Sequence, residues 1–397
     1  MNPDIALLHA YPFEKLAALF KGVTPPADKT AISLSIGEPK HPSPTFVMDA
    51  IHAHFSKLAV YPSTKGVPEL RQAIAGWLQR RFQLQAVDAE TQVLPVNGTR
   101  EALFSFAQAV VDRSSKPLVL MPNPFYQIYE GAALLAGAEP YYLPCLEANG
   151  FIPDFDAVPN SVWERTQLLF ICSPGNPTGA VIGRETLQKL IALSDRFNFV
   201  IASDECYSEI YFDEANPPLG LLQVCAELGR HDYRNCVVFH SLSKRSNLPG
   251  LRSGFVAGDA ALLKPYLLYR TYHGSAMPVQ HQLASVVAWN DEAHVVENRR
   301  QYREKFIVFE EIVSPALPLT MPDAGFYFWA KTPQADDQFV RGLYATQHVT
   351  LLPGQYLGRA MADGHNPGAG RVRMALVASM NECIEAAQRL RAFVESL

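Results

Sequence analysis

Cys236-Val-Val-Phe-His-Ser241-Leu-Ser243-Lys244-Arg-Ser-Asn-Leu-Pro-Gly250-Leu-Arg252-Ser-Gly254-Phe255 is the stretch on which the reading of this chain turns. It opens on an apolar run at 236–241, breaks into a polar, glycine-containing loop carrying Lys244 and Arg252, and returns to an apolar run at 254–257. A lysine placed just past a buried strand, with hydroxyls before it and an arginine after it, is not required for packing. Runs of the same kind occur at 92–96, 118–121, 168–172 and 199–203. They are continuous rather than alternating, as expected of strands covered on both faces. Helical patterns at 100–112 and 185–197 lie between them. The alternation predicts an α/β fold with a largely parallel sheet and right-handed crossovers.

Ligands of such sheets bind beyond the carboxyl ends of the strands, so the residues following each run carry the chemistry. Asn97-Gly98-Thr99-Arg100 opens a helix after 92–96, offering free N–H groups and a hydroxyl to an anion. Tyr126 follows 118–121, in Pro124-Phe-Tyr126. Ser173-Pro-Gly-Asn176-Pro177-Thr178-Gly179 follows 168–172, and Asp204-Glu205-Cys206-Tyr207 follows 199–203. Each alone is explained by turn or capping chemistry. Taken in order on successive strand ends they match one ligand. A lysine among cations in a partly dry site is a neutral amine near pH 7, and its natural electrophile is an aldehyde. Pyridoxal 5′-phosphate offers that aldehyde. Its phosphate suits Gly98, Thr99, Arg100, Ser241 and Arg252; its pyridine nitrogen suits Asp204; its phenolic oxygen suits Asn176 and Tyr207; its ring suits Tyr126.

Outside this core, 292–312 reads as a long amphipathic helix with Tyr302, Phe306, Phe309 and Val313 on one stripe. The last eighty or so residues mix strand patterns at 325–330, 349–352 and 371–376 with a final helix at 381–396, an α+β pattern. The expected division is an N-terminal segment, 1–45, packing with a small domain; a large cofactor-binding domain, 46–280; and a linker helix with the small C-terminal domain, 281–397. The 397 residues are 48% hydrophobic and 18% charged with net charge −5, a globular composition without the basic excess that nucleic acid demands. No spanning segment and no export signal are visible, so a cytoplasmic protein without membrane partners is expected. Six scattered cysteines form no C-x-x-C pair, which predicts buried thiols in a reducing compartment and no metal site. No G-x-G-x-x-G opens a helix after the first strand, which counts against a nicotinamide dehydrogenase. A DNA-binding segment does not fit within the first thirty residues, which counts against a regulator's effector domain.

Over essentially its whole length the sequence resembles the fold-type I, class I/II pyridoxal-phosphate aminotransferases. The resemblance is carried by Ile36-Gly37-Glu38-Pro39, Tyr61-Pro-Ser-Thr-Lys-Gly66 with Leu70-Arg71, Asn176-Pro177-Thr178-Gly179, Asp204-Glu205-x-Tyr207, Ser241-x-x-Lys244 with Arg252, and Arg371-Val-Arg373. It implies an aspartate-aminotransferase-like fold and ping-pong transamination, with Lys244 binding the cofactor and moving the proton. It also implies that Arg373 holds the substrate α-carboxylate, with Arg371 as the other candidate, and that Gly37 makes a backbone contact nearby. Tyr61 would reach the neighbouring subunit's phosphate, which implies an obligate homodimer with shared active sites. Within the family, Ala10-Tyr-Pro-Phe-Glu-Lys15, Pro122-Asn-Pro-Phe-Tyr-Gln-Ile-Tyr129 and the 241–255 stretch look like the bacterial succinyldiaminopimelate aminotransferases. Glutamate would be the donor and N-succinyl-2-amino-6-oxoheptanedioate the acceptor, in lysine biosynthesis. The alternatives are a related aminotransferase acting on aspartate, alanine or N-acetylornithine, and a carbon–sulfur β-lyase of the same fold.

Overall fold

The computed structural model describes residues 1–397. Seven strands form the central sheet, ordered from one edge Val93–Val96, Gly254–Gly258, Cys236–Ser241, Val200–Asp204, Thr166–Cys172, Leu118–Asn123 and Glu139–Pro144. The last five in that order pair in parallel. Gly254–Gly258 runs antiparallel to both of its neighbours. The expected sheet is therefore correct except at this strand. The reason is what the connection holds: a parallel return is usually carried by a helix long enough to run back across the sheet. The loop after Ser241 holds only a one-turn helix, Leu242–Arg245, and a 3-10 turn, Pro249–Leu251. The chain folds back at once, Gly254 pairs with Ser241, and Arg252 stays at the Lys244 end of the sheet.

Burial explains the continuous apolar runs. Leu169, Ile171, Ile201 and Val238 belong to a core on one face, which includes Trp77 and Trp289. Leu168, Phe170, Ala202, Val237 and Phe239 belong to a second core on the other face. Full burial of such side chains stabilises by about 1.5–3 kcal/mol each, so both alternating sets must be apolar. Glu139–Pro144 was not expected as a strand. It is an edge strand, mostly half-exposed, and its sequence lacks an apolar run.

The expected helices are found at Thr99–Val110, Arg184–Phe197, Ala293–Val313 and Met380–Glu395. Ser379 and Glu382 form a reciprocal capping box that starts the last of them. A third core gathers Tyr302, Phe306, Phe309 and Val313 of the long helix with the strands Tyr327–Lys331 and Arg371–Ala375. Leu16, Ile32 and Leu34 join it, and Ile32–Ser33 pairs in parallel with Val349–Thr350. The division at 280/281 falls inside the helix Val279–Asn290, whose Ala284, Ala288 and Trp289 pack in the core of the large sheet. The chain leaves the large unit after this helix, not before it. All six cysteines are free; five are buried and Cys206 is partly so. No helix is long and apolar enough to cross a membrane, and no cluster of three or more His, Cys, Asp or Glu side chains could hold a metal.

Candidate active site

The carboxyl ends of the parallel strands open into a cleft of about 560 Å³, closed on the far side by the N-terminal segment and the small sheet. Lys244, Asp204, Tyr207, Asn176, Tyr126, Thr99, Arg100, Ser241, Arg252, Arg373 and Gly37 all line it. The topology brings them together from separate elements: most stand at or just beyond the carboxyl ends of the large sheet's strands, while Gly37 and Arg373 come from the N-terminal segment and the small sheet.

Lys244 lies in the one-turn helix after Ser241 and its Nζ donates to the Gly37 carbonyl. Burial lowers the ammonium to about 8; the Cys206 thiol opposes this and Arg373 adds to it. A substantial neutral fraction thus exists near neutrality, as a nucleophilic amine requires.

Asp204 ends its strand almost fully buried, at 4% exposure. Its Oδ2 accepts from the Tyr129 hydroxyl at 2.7 Å and its Oδ1 from the Cys206 N–H at 3.2 Å. Burial raises its carboxyl, opposed by these hydrogen bonds. A carboxylate kept in such a place calls for a cationic partner.

Opposite the carboxylate, the groups form an anion cradle. Gly98 caps the helix Thr99–Val110 at φ 84°, so the first-turn N–H groups have no helical acceptors and face the cleft rim. A Cβ at position 98 would collide with the Arg252 guanidinium. Arg252 itself donates only to the Pro249 and Asn97 carbonyls, at 2.8 and 3.3 Å, and has no carboxylate partner. Ser241 departs from expectation. Its Oγ accepts from the Ser243 N–H and donates to the Ser253 carbonyl, because Ser241 is the N-cap of the lysine helix. Ser243, which also lines the cleft, is the hydroxyl left free for an anion.

At the other end, Arg373 donates from Nη1 to Asn176 Oδ1 at 2.9 Å and from Nη2 to the Ser35 carbonyl at 2.7 Å. It is 4% exposed, packs over Tyr327, and its Nε has no partner. Arg371 shares its face of the strand about 6.6 Å away, and pairs with Glu147 at 3.1 Å outside the cleft. Of the two arginines, only Arg373 lines the cleft. Gly37 has no room for a side chain, since a Cβ would collide with the Tyr327 hydroxyl.

Two further expectations shift. Tyr207 shares a hydrogen bond with Tyr327, hydroxyl to hydroxyl at 2.9 Å, so it keeps its own hydrogen for a ligand only where Tyr327 donates, and Asn176 Nδ2 is a second donor beside it. The Arg100 side chain turns to Tyr126, with Nε donating to its hydroxyl at 2.9 Å. Tyr61 is outside the cleft and 99% exposed. The residues not foreseen are Tyr129, Cys206, Ser243 and Tyr327. Tyr129 had a signal, its three-residue spacing from Tyr126 at the start of the helix Ile128–Leu135. Tyr327 had none, because its partner Tyr207 is 120 positions away.

A reactive amine, an anion cradle and a buried carboxylate on neighbouring strand ends are the parts demanded by a phosphorylated pyridine aldehyde; the fold and site are those of a pyridoxal-phosphate enzyme. The chain belongs to the family of class I and II aminotransferases, whose profile it matches over residues 29–390. An aminotransferase from Neisseria meningitidis Z2491 is 50% identical, with a TM-score of 0.95 over 99% of both chains. The aminotransferase AspB from Helicobacter pylori 26695 is 35% identical, with a TM-score of 0.90 over 98% of this chain and 100% of that one. Among curated proteins, the LL-diaminopimelate aminotransferase of Nitratidesulfovibrio vulgaris strain Miyazaki F is 33% identical over 366 residues, 90% of each chain. The protein is thus a pyridoxal-phosphate-dependent aminotransferase of small amino and oxo acids. When bound, the cofactor supplies an aldehyde that condenses with amines and a cationic ring that accepts electron density.

Proposed function

We propose that this aminotransferase acts on the diaminopimelate skeleton, with glutamate as donor and N-succinyl-2-amino-6-oxoheptanedioate as acceptor, in the cytoplasmic synthesis of lysine. In this reading Lys244 binds the cofactor and carries the proton between substrate Cα and cofactor. Asp204 faces the ring nitrogen and Tyr126 the ring. Asn176 and Tyr207 serve its phenolic oxygen, while Gly98, Thr99, the Arg100 main-chain N–H, Ser243 and Arg252 surround its phosphate, with Ser241 capping from behind. Arg373 takes the α-carboxylate between Asn176 and the Gly37 segment.

The observation that carries the acceptor is Arg100. Its guanidinium faces the cleft, uses one donor on Tyr126, and meets no carboxylate. Of the four cations lining the cleft, Lys244 and Arg252 go to the cofactor and Arg373 to the α-carboxylate, which leaves Arg100 for a further anion. A succinylated acceptor brings an extra carboxylate to such a surface. Free LL-diaminopimelate, named for the curated relatives, brings a second ammonium instead. Glu38 is the one cleft acid other than Asp204, and it supports that second reading.

Two subunits sharing their sites form part of the same proposal. The stretch 48–61 leaves Met48, Phe55, Leu58, Val60 and Tyr61 exposed, an apolar surface suited to a second copy. Tyr61 would then reach the partner's cradle.

Purified holoenzyme assayed with glutamate should prefer the succinylated acceptor to oxaloacetate and to N-acetylglutamate semialdehyde. Arg100→Met should lower kcat/KM for it by about 10- to 100-fold, the weight of a charge-assisted hydrogen bond. Equal rates in variant and wild type, or faster reaction of free LL-diaminopimelate with 2-oxoglutarate, reverse the assignment. Release of pyruvate and ammonia from cystathionine would indicate a β-lyase.

A further inference from the structure

Asn298, on the long helix Ala293–Val313, is 2% exposed and lies outside the cleft. Its Nδ2 donates to the carbonyls of Lys244 at 3.3 Å and Arg245 at 3.4 Å. Those carbonyls end a four-residue helix and have no helical partners, so a side chain from another element caps them. Asn298 Oδ1 meets His41 Nδ1 at 2.7 Å and accepts from Asn247 Nδ2 at 3.0 Å. The proton positions are settled by the far side of His41. Its Nε2 lies 2.6 Å from Lys305 Nζ, and an ammonium only donates. Nε2 therefore accepts, Nδ1 carries the hydrogen, and the Asn298 amide is held in one orientation from both ends.

His41 belongs to the segment that begins at Gly37, whose carbonyl accepts from the Lys244 amine. Ser43 Oγ donates to the Asn247 carbonyl at 2.9 Å, a further tie between the same two segments. The main chain and the side chain of Lys244 are thus both fastened to residues 37–41, one through Asn298 and His41, the other directly.

We propose that Asn298, through His41, is a positioning residue for Lys244: it holds the lysine helix and the 37–41 segment in the one register that aims the amine into the cleft. When the amine leaves the Gly37 carbonyl to bind the cofactor, the Asn298 bridge is what keeps the two segments together. Asp204 and the Gly98 cradle stand on other strands and do not depend on it; Arg252 follows in the same loop but is held separately by the Pro249 and Asn97 carbonyls, so cofactor affinity is separable from amine placement. The inference rests on Lys244 being the cofactor lysine.

The test uses holoenzyme of wild type, Asn298→Ala, His41→Ala and His41→Asn. Asparagine keeps a donor near the Nδ1 position. Asn298→Ala and His41→Ala should slow the single-turnover half-reaction with glutamate by about tenfold or more. They should also move the pH midpoint of the visible cofactor band by about half a unit or more, with cofactor affinity unchanged. His41→Asn should return both towards wild type. Variants that lose only thermal stability, with rate and midpoint unmoved, overturn the proposal, as does a His41→Asn protein indistinguishable from His41→Ala. If Asn298→Ala does not fold, the His41 pair decides. A visible band that survives in Lys244→Ala defeats the assignment of Lys244 instead, and is read separately.

Discussion

The Tyr129 hydroxyl donates to Asp204 Oδ2 at 2.7 Å, both groups being buried beneath the cleft. The hydroxyl supports the charged form of a carboxyl that burial would otherwise keep protonated. Tyr129→Phe removes that donor without changing the packing against Phe170. A hydrogen bond to a charged group contributes about 1.5–3 kcal/mol. Turnover and cofactor affinity should each fall by roughly 10- to 100-fold, with an unchanged far-ultraviolet spectrum. Wild-type kinetics in this variant would remove Tyr129 from the account.

Asp204 itself sets function against stability. Its folded carboxyl titrates above the unfolded value, so between those two values the native state holds the extra proton. The stabilisation is fully present below the unfolded value, near 3.8, and is lost as pH rises through the folded one. Above the folded value the cofactor-free protein therefore carries a destabilising buried charge. Asp204→Asn should raise the thermal midpoint of cofactor-free protein by about 1–2 °C per kcal/mol relieved, and lower that of the holoenzyme. A variant less stable in both states contradicts this.

Lys244 behaves in the opposite sense from an ordinary lysine. Its folded value of about 8 lies below the ordinary 10.5, so the unfolded chain binds the proton between them. Its contribution to stability should rise with pH across that window. In cofactor-free protein, acylation of Lys244 should accelerate through pH 8, followed by peptide mass spectrometry. A rate still climbing steeply at pH 10 would show an unperturbed amine. Lys244→Ala should lower turnover by about 10²- to 10⁴-fold, the usual weight of a general acid–base group, and abolish the visible band.

Gly98 tests the cradle. At φ 84° and against the Arg252 guanidinium, alanine meets both backbone strain and a steric clash. Such strain amounts to about 1–3 kcal/mol. Gly98→Ala should weaken cofactor binding by roughly tenfold or more, measured by equilibrium dialysis, while a polar loop glycine with open space, Gly150→Ala, leaves it unchanged. Equal affinities would place the phosphate elsewhere.

The sequence by itself determined the sheet and the chemistry at its rim. Buried strands must be apolar on both faces, and the residues that interrupt them at one end have few reasons to be there other than a ligand. Local order along the chain therefore singled out Lys244, Asp204, Asn176 and Arg252, which the fold gathers in one cleft. Only the tertiary structure decided between Arg371 and Arg373, since residues two apart on a strand share a face and differ only in depth. It alone turned Gly254–Gly258 antiparallel, gave the Ser241 hydroxyl to its helix cap, and carried the large unit's core through Trp289. Tyr327 and Asn298 left no trace in local pattern. Each meets its partner across a long loop of chain, and contacts between distant segments are fixed by how the cores pack, which no window of neighbouring residues records.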